Sequence, residues 1–190
     1  MRGCLDNLTD ERIAQRRPID GADTLYTRLR GGVDVKISKT LVIEQASDTL
    51  QQLRADGADT LVFACTGEFP PMAGDTGVIF PSRILNALAE SLLPRGRLGL
   101  LVPLPEQSDK LVAKWQRIGV EVVAEALRPS ADEAETRNAA ERLARLTPDL
   151  VAMDCMSYTP YSKAIVSATV GVPTLLAITA TGRVIRELLE

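Results

Sequence analysis

Histidine is absent from the 190 residues of this chain, and cysteine occurs only three times. Without histidine, the sequence excludes Ser-His triads, histidine metal ligands and histidine acid–base catalysis. Three cysteines are too few, and odd in number, for a disulfide framework, which predicts a reducing, cytoplasmic location. Any acid–base chemistry must therefore use cysteine, aspartate, glutamate, lysine or tyrosine.

Long apolar runs and strong net charge are missing as well. No stretch is long enough to span a bilayer, and the N-terminus lacks the apolar segment of a signal peptide. The net charge of -3 gives no electrostatic case for a nucleic-acid or membrane partner. Neither a Gly-x-Gly-x-x-Gly nor a Walker-type loop occurs, so we expect no nucleotide or other cofactor, and no metal.

What is present from residue 59 onward is an alternation of short apolar segments and helical patterns. This alternation predicts an α/β fold of parallel βαβ units covered on both faces. The predicted strands are 60–64, 97–102, 120–125, 150–153 and 173–178, and the predicted helices are 81–93, 105–118, 130–146, 161–169 and 179–189. At the start of helix 130–146, Ser130 and Glu133 have the spacing of a capping box.

The N-terminal part of the chain follows a different pattern. Two short segments, 24–29 and 33–37, flank Gly31 and Gly32 and predict a β-hairpin. A helix is predicted at 41–55, and a short one within 6–17.

Two segments of the sequence resemble each other around a cysteine. Cys65 and Cys155 each follow a predicted strand, with an aspartate six residues before and a proline five residues after. We expect both thiols at the carboxyl edge of a parallel sheet, where α/β proteins bind ligands. Helix N-terminal partial charge at that edge predicts lowered thiol pKa values. If the segments belong to duplicated lobes related by a pseudo-twofold axis, the thiols flank one cleft.

Two thiols on opposite faces of one carbon support a specific reaction. One removes a proton and the other returns a proton on the opposite side, which inverts a stereocentre without a cofactor. Cys65 and Cys155 are therefore the candidate catalytic residues. The alternative for each is packing, because unpaired cysteine is among the most buried residue types.

Residues beside the thiols are candidates for binding a substrate carboxylate. Hydroxyls and backbone N–H groups suited to an anion are offered by Thr66, Gly67, Met156 and Ser157. Arg83, which follows Ser82 in the first turn of a predicted helix, is a candidate for bidentate binding, with a surface or interlobe ion pair as the alternative.

Asp154, on an otherwise apolar strand, is expensive to bury alone, so a partner is expected. Trp115 is interpreted as a packing anchor within its lobe rather than a platform for a ligand.

Several short motifs together resemble the AroM family, which is placed by similarity in the aspartate/glutamate racemase superfamily. They are Cys65–Pro70, Phe80–Arg83, Leu101–Gln107, Lys114–Trp115 and Met153–Tyr158. The resemblance covers nearly the whole chain and implies two Rossmann-like lobes with a cleft between them, residues 1–95 plus 174–190 and residues 96–173. Cys65 and Cys155 match the positions of the two catalytic cysteines of the racemases.

The N-terminus departs from this family. Relatives begin with an apolar strand and a Gly-Gln-Ser-Pro-Arg type loop, whereas residues 1–9 here match a later segment. We therefore expect a first lobe that is incomplete at the N-terminus. Either the start codon is assigned too late, which we favour because loss of a central strand exposes unpaired backbone groups, or the chain is a shortened form whose activity stays open.

The predicted function is a cofactor-independent racemase, epimerase or isomerase that acts next to the carboxylate of a small molecule. Two alternatives stay open: a single-thiolate isomerase or decarboxylase, and a binding or regulatory protein without turnover. The resemblance also leaves a homodimer open.

Overall fold

The computed structural model describes residues 1–21, 23–29 and 31–190. Contacts divide the chain into two compact units: Met1–Phe63 with Gly67–Ile79, and Ala64–Thr66 with Phe80–Glu190. The lobe boundaries drawn from the family resemblance differ from this division and stay a prediction.

The first unit combines a β-hairpin with two helices. Its elements are α1 (Asp10–Gln15), β1 (Thr24–Arg28), β2 (Asp34–Ser38) and α2 (Lys39–Ala55). Strands β1 and β2 pair antiparallel, from Thr24 opposite Ser38 to Arg28 opposite Asp34, which confirms the predicted hairpin. Helix α1 is shorter than the predicted 6–17.

Helix α2 begins directly after β2 because two side chains satisfy its first N–H groups. The Ser38 hydroxyl accepts the N–H of Leu41, and the Asp23 carboxylate accepts both the N–H and the hydroxyl of Thr40. Both are ordinary N-terminal capping residues. The strand-to-helix junction thus follows from the local sequence.

The segment predicted as a strand at 60–64 is held by a single parallel bridge between Val62 and Ile79. The N–H of Phe63 donates to the Ile79 carbonyl at 2.9 Å, and the N–H of Ile79 donates to the Leu61 carbonyl at 2.8 Å. A regular strand needs a longer ladder of such bonds. The prediction of a strand here is wrong, since the partner segment supplies one bridging residue.

The second unit is built on a parallel sheet. In chain order its elements are α3 (Pro81–Leu92), β3 (Gly96–Val102), α4 (Ser108–Trp115), β4 (Val120–Ala126), α5 (Glu133–Ala144), β5 (Leu150–Met153), α6 (Pro160–Val170), β6 (Thr174–Leu176) and α7 (Ala177–Leu189). The strand order is β4-β3-β5-β6, and every pairing is parallel. The predicted βαβ alternation is confirmed.

This strand order creates a switch point between β3 and β5. From β3 the chain moves to β4 on one side and then returns to β5 on the other side. Loops that leave the carboxyl ends of β3 and β5 therefore diverge, and ligands of open α/β sheets bind in the crevice that forms there.

The core of the second unit is aliphatic, as the low aromatic content predicts. Leu98 and Leu100 of β3 are fully buried against Leu85 of α3. On the other face, a Cβ at Gly99 would lie 3.0 Å from Pro148 and 3.2 Å from Leu143, so glycine permits α5 to pack closely on β3.

Some helix boundaries differ from the prediction. Helix α5 is capped by Asp132 with Glu135, not by Ser130 with Glu133, because the N–H of Ala131 first closes a turn onto the Arg128 carbonyl. A 3-10 turn at Pro105–Gln107 precedes α4, which ends at Trp115. In the part of the chain that the structure describes, no helix is long and apolar enough to cross a bilayer.

Candidate active site

The two cysteine segments meet within the second unit. Cys155 lies two residues beyond the last residue of β5, at the carboxyl edge of the sheet. The Thr66 hydroxyl, next to Cys65, donates to the Asp154 carbonyl at 3.1 Å, across 88 residues of sequence. The structure thus brings Cys65, Thr66, Asp154 and Cys155 to the β3–β5 switch point.

Asp154 has charged and polar partners, which confirms the expectation that its burial requires one. Its Oδ2 accepts Lys114 Nζ at 3.0 Å and Trp115 Nε1 at 2.8 Å. The side chains of Lys114 and Asp154 are 3% and 0% exposed, so the ion pair is fully desolvated. Both partners come from the last turn of α4, on the other side of the switch point.

Lys114 has a second contact that sequence reasoning missed. Its Nζ also donates to the Thr66 carbonyl at 2.9 Å. Trp115 is buried in the core of the second unit, as a packing anchor should be, but its bond to Asp154 was not predicted either. The available signal was Asp154 itself, because a carboxylate on an apolar strand demands a cation or donor from elsewhere.

The second carboxylate oxygen of Asp154 is not hydrogen-bonded within the described residues. This atom, Oδ1, is buried. A buried oxygen in this condition costs free energy, and native proteins keep few of them. Because the side chain is inaccessible, Asp154 acts on its surroundings through Lys114 and Trp115.

The Cys155 thiol sits in a strongly desolvated environment. The residue is 8% exposed, and burial raises the pKa of the thiol from 9.0 to about 12. The polar N–H and hydroxyl of Ser157 oppose this rise in the pKa, whereas nearby Cys65 and Asp154 add to it. At neutral pH this environment keeps Cys155 protonated.

The prediction of a lowered pKa is therefore wrong for Cys155. The nearest helix, α6, has its N-cap at Thr159, four residues further along the chain. Partial charge at a helix N-terminus acts within about one turn, and here desolvation outweighs the local donors.

Cys65 occupies a different environment from Cys155. It is half-buried rather than buried, and no disulfide joins the described cysteines. The influence of Cys65 on the pKa of Cys155 shows that the two thiols are close enough to interact electrostatically. The shared cleft between two lobes stays a prediction.

Two of the predicted carboxylate-binding residues have contacts within the protein. Ser157 is exposed, and its N–H and hydroxyl act to lower the pKa of Cys155. Met156 is half-buried and packs against the core of the second unit. Both remain adjacent to the thiol, while Gly67 belongs to the first unit.

Arg83 and Ser82 lie in the first turn of α3. Ser82 is 5% exposed, whereas the Arg83 side chain is exposed and its guanidinium stacks on the Phe80 ring at 4.6 Å. No ion pair involves Arg83 among the described residues, so the surface ion pair weighed from the sequence is not observed.

The described residues contain no group of three or more His, Cys, Asp or Glu side chains arranged to hold a metal ion. The chemistry of the site is that of two thiols, a buried ion pair and hydroxyl groups.

Comparison with known proteins identifies the family and the fold. A family model described as AroM protein matches residues 1–189. A comparison with curated proteins gives no match. Among solved structures, arylmalonate decarboxylase is 17% identical with a TM-score of 0.62, and the alignment covers 90% of this chain and 86% of that one.

Two other enzymes have the same fold. Glutamate racemase from Francisella tularensis, solved with D-glutamate, is 14% identical with a TM-score of 0.57 over 80% of this chain and 65% of its own. Maleate isomerase from Pseudomonas putida is 14% identical with a TM-score of 0.61 over 80% of this chain and 75% of its own. At these identities the similarity establishes the fold, and the predicted Asp/Glu racemase-like α/β class is confirmed.

Proposed function

This chain belongs to the AroM family, and from that premise we propose that it is a cofactor-independent racemase, epimerase or isomerase acting at a carbon next to a carboxylate. Cys65 and Cys155 are the proposed acid–base pair. Proteins of the same fold act as a racemase, an isomerase and a decarboxylase, which supports this class of chemistry.

The observation that carries the proposal is the joining of the two cysteine segments at the switch point of the sheet. The bond from Thr66 to the Asp154 carbonyl connects the residue after Cys65 to the residue before Cys155. A packing role for either thiol does not require the other to be near. Two acid–base groups placed at the usual ligand edge of an α/β sheet suit a reaction on one small substrate.

The buried environment of Cys155 indicates its protonation state before the reaction begins. Because its pKa is raised to about 12, it carries a proton in the ligand-free protein. The proposed forward step has the Cys65 thiolate remove the α-proton, while the electron pair moves into the carboxylate as an enolate. Cys155 then donates its proton to the opposite face and becomes the thiolate. In the reverse direction the two thiols exchange roles.

The substrate carboxylate requires donors near the thiols. The proposed binding residues are Thr66, Gly67, Ser82, Arg83, Met156 and Ser157. Arg83 supplies the positive charge, since its guanidinium is exposed and engages no carboxylate of the described protein. The Thr66 hydroxyl already donates to the Asp154 carbonyl, so the backbone N–H of Thr66 is the better candidate.

The test is exchange of the α-proton with deuterated solvent, measured by NMR for both enantiomers of a panel of small 2-substituted carboxylic acids. Cys65→Ser and Cys155→Ser should each reduce racemisation by about 10²–10⁴-fold, the usual contribution of an acid–base group. Each variant should still exchange one enantiomer with retention, and the two variants should prefer opposite enantiomers. Exchange of both enantiomers by a single variant contradicts two opposed bases.

A second candidate function follows from the same difference in burial. A cysteine that is held protonated can act alone as a proton donor to the carbanion left when an adjacent carboxylate departs as carbon dioxide. The carbon–carbon bond breaks, its electron pair stays on the α-carbon, and the Cys155 proton forms the new C–H bond. In that case Cys155→Ser abolishes turnover of a 2-substituted malonate, whereas Cys65→Ser retains it.

The binding-protein alternative has its own readout. Trp115 is the single tryptophan of the chain and bonds to Asp154 beside Cys155. Its fluorescence should therefore respond to a small acid bound at the site. A saturable fluorescence change without proton exchange or decarboxylation supports binding without turnover.

A further inference from the structure

The ammonium group of Lys114 reaches both cysteine segments. Its Nζ donates to the Thr66 carbonyl, beside Cys65, at 2.9 Å and to Asp154 Oδ2, beside Cys155, at 3.0 Å. We propose that Lys114 is a positioning residue that holds the two cysteine segments together at the β3–β5 switch point. The inference deepens the proposed function and rests on it for its catalytic meaning.

The Cys65 segment needs such a restraint because it has no place in the sheet. Residues 64–66 are part of the second unit but belong to none of its strands. Cys155, by contrast, follows β5, which pairs with β3 and β6. The side-chain bonds of Thr66 and Lys114 therefore help to define where the backbone of Thr66 lies relative to β5.

Four hydrogen bonds that link Thr66, Lys114, Trp115 and Asp154 form that restraint. Lys114 links the Asp154 carboxylate to the Thr66 carbonyl, and the Thr66 hydroxyl returns a bond to the Asp154 carbonyl. Trp115 Nε1 fixes the same carboxylate oxygen at 2.8 Å, so Lys114 has a rigid anchor. Thr66 is thus attached to Asp154 directly through the Asp154 backbone carbonyl, and through Lys114 to the Asp154 side chain.

Stability alone is a weak reason for this arrangement. A lysine side chain that is 3% exposed has lost its hydration, and buried ion pairs are often no more stabilising than apolar residues of similar volume. A methionine at this position would fill the same space without a desolvation cost. The directed bonds to two separate segments, which an apolar residue cannot make, are what Lys114 adds.

Amide hydrogen exchange followed by mass spectrometry tests the restraint directly. In Lys114→Met we expect exchange at residues 64–66 and 155–157 to accelerate by about tenfold, the effect of losing roughly one hydrogen bond. The amides of β3 and β5 should accelerate only by the smaller factor that the variant's loss of global stability explains. Acceleration spread evenly over the second unit would mean that Lys114 only stabilises the fold, and would overturn the proposal.

A charge-neutral double variant separates position from charge. Lys114→Met with Asp154→Asn removes both members of the buried pair while keeping an acceptor for Trp115. We expect this variant to recover most of the thermal stability lost in Lys114→Met, yet to keep the fast exchange at 64–66, because the Thr66 carbonyl still lacks its donor. Recovery of slow exchange would show that Lys114 merely neutralises Asp154.

Arg97→Met provides the matched control. Arg97 lies near the amino end of β3, at the opposite edge of the same sheet, where it bonds to Glu121 at 2.7 Å and Thr147 at 2.6 Å. Its loss removes comparable polar contacts without touching the cysteine segments. We expect no selective change at 64–66, and an equal change in both variants would contradict the proposal.

A thiol cross-linking experiment connects the restraint to the active site without requiring turnover. In a Cys4→Ser background, a bifunctional bromobimane should attach to Cys65 first and then join it to Cys155 only slowly, because the raised pKa of Cys155 limits its thiolate fraction. Lys114→Met should lower the yield after a fixed, long incubation about tenfold, in line with the loss of one hydrogen bond. Unchanged yield would overturn the positioning role. Absence of the cross-link in the parent, after an incubation long enough for a monofunctional bromobimane to label Cys155, contradicts the two-thiol function instead, and leaves the amide-exchange result to decide the role of Lys114.

Discussion

The segment around Cys155 continues a central strand, whereas the segment around Cys65 follows residues held by one bridge. Strand β5 has neighbours on both sides, β3 and β6. In the first segment, Val62 bridges Ile79 and no regular strand forms. The two sequences are similar, with an aspartate six residues before the cysteine and a proline five residues after it. The structural neighbours of the two segments differ, because one follows a strand with two neighbouring strands and the other follows a single bridge.

This difference determines the chemistry of the thiols. With a strand on each side of β5, the backbone around Cys155 is enclosed, and desolvation raises its pKa to about 12. Cys65 stays half-buried. Similar sequence segments therefore supply one buried thiol that retains its proton and one half-buried thiol, and the proposed acid–base pair relies on that difference in burial.

The largest effect expected from this comparison is on thiol alkylation. At pH 8, raising the pKa from 9.0 to about 12 lowers the thiolate fraction of Cys155 by about 10³-fold. We expect iodoacetamide to modify Cys65 well before Cys155, and Cys155 to react about 10³-fold more slowly than in the urea-unfolded chain. Peptide mapping by mass spectrometry measures both rates. If Cys155 in the folded chain were alkylated at a rate within tenfold of that in the unfolded chain, the proposed difference in desolvation between the two cysteine segments would be contradicted.

A second, smaller effect is a loss of folding stability at alkaline pH, caused by deprotonation of Cys155. Because its pKa is raised on folding, the folded chain binds the thiol proton more tightly than the unfolded chain does. The resulting stabilisation is present below pH 9.0 and is lost as the pH rises towards about 12. Relative to Cys155→Ser, the parent chain should lose about 3 kcal/mol of unfolding free energy between pH 8 and pH 11.

Urea unfolding of the parent chain and of Cys155→Ser at several pH values measures this difference. Groups that titrate equally in the two proteins make no contribution to the difference in unfolding free energy. Cys65→Ser serves as the matched control from the other segment and should track the parent. A constant difference between the parent and Cys155→Ser across the range would show that Cys155 is not desolvated.

The smallest effect concerns the helix that follows Cys155. Thr159 and Ser162 form a capping box at the start of α6, whereas the corresponding position of the first segment is Phe69. Thr159→Ala should cost about 1 kcal/mol of unfolding free energy. Ser130→Ala should change it by less than about 0.5 kcal/mol, because the α5 cap is Asp132. Equal losses in the two variants would contradict the observed caps.

Much of the fold of the second unit could be predicted because its signals are local. Apolar runs of strand length alternate with helical patterns, and β3, β4 and β5 lie within a residue of their predicted bounds. The failure at 60–64 has a physical cause: an apolar run indicates burial but does not supply a neighbouring strand. The prediction of the α5 cap was wrong because the sequence offers two capping boxes that overlap, Ser130 with Glu133 and Asp132 with Glu135. The turn that precedes the helix determines that the second one forms.

The sequence by itself determined the absence of histidine chemistry, the alternation of strands and helices, and the placement of Cys65 and Cys155 where apolar segments end. The tertiary structure decided the pairing of Lys114 with Asp154, the bonds that join the Cys65 segment to the Cys155 segment, and the raised pKa of Cys155. These depend on contacts between residues 40 to 88 positions apart and on the extent of burial. A local hydrophobic pattern in the sequence predicts neither the long-range contacts nor the extent of burial, because both arise only when the chain has folded.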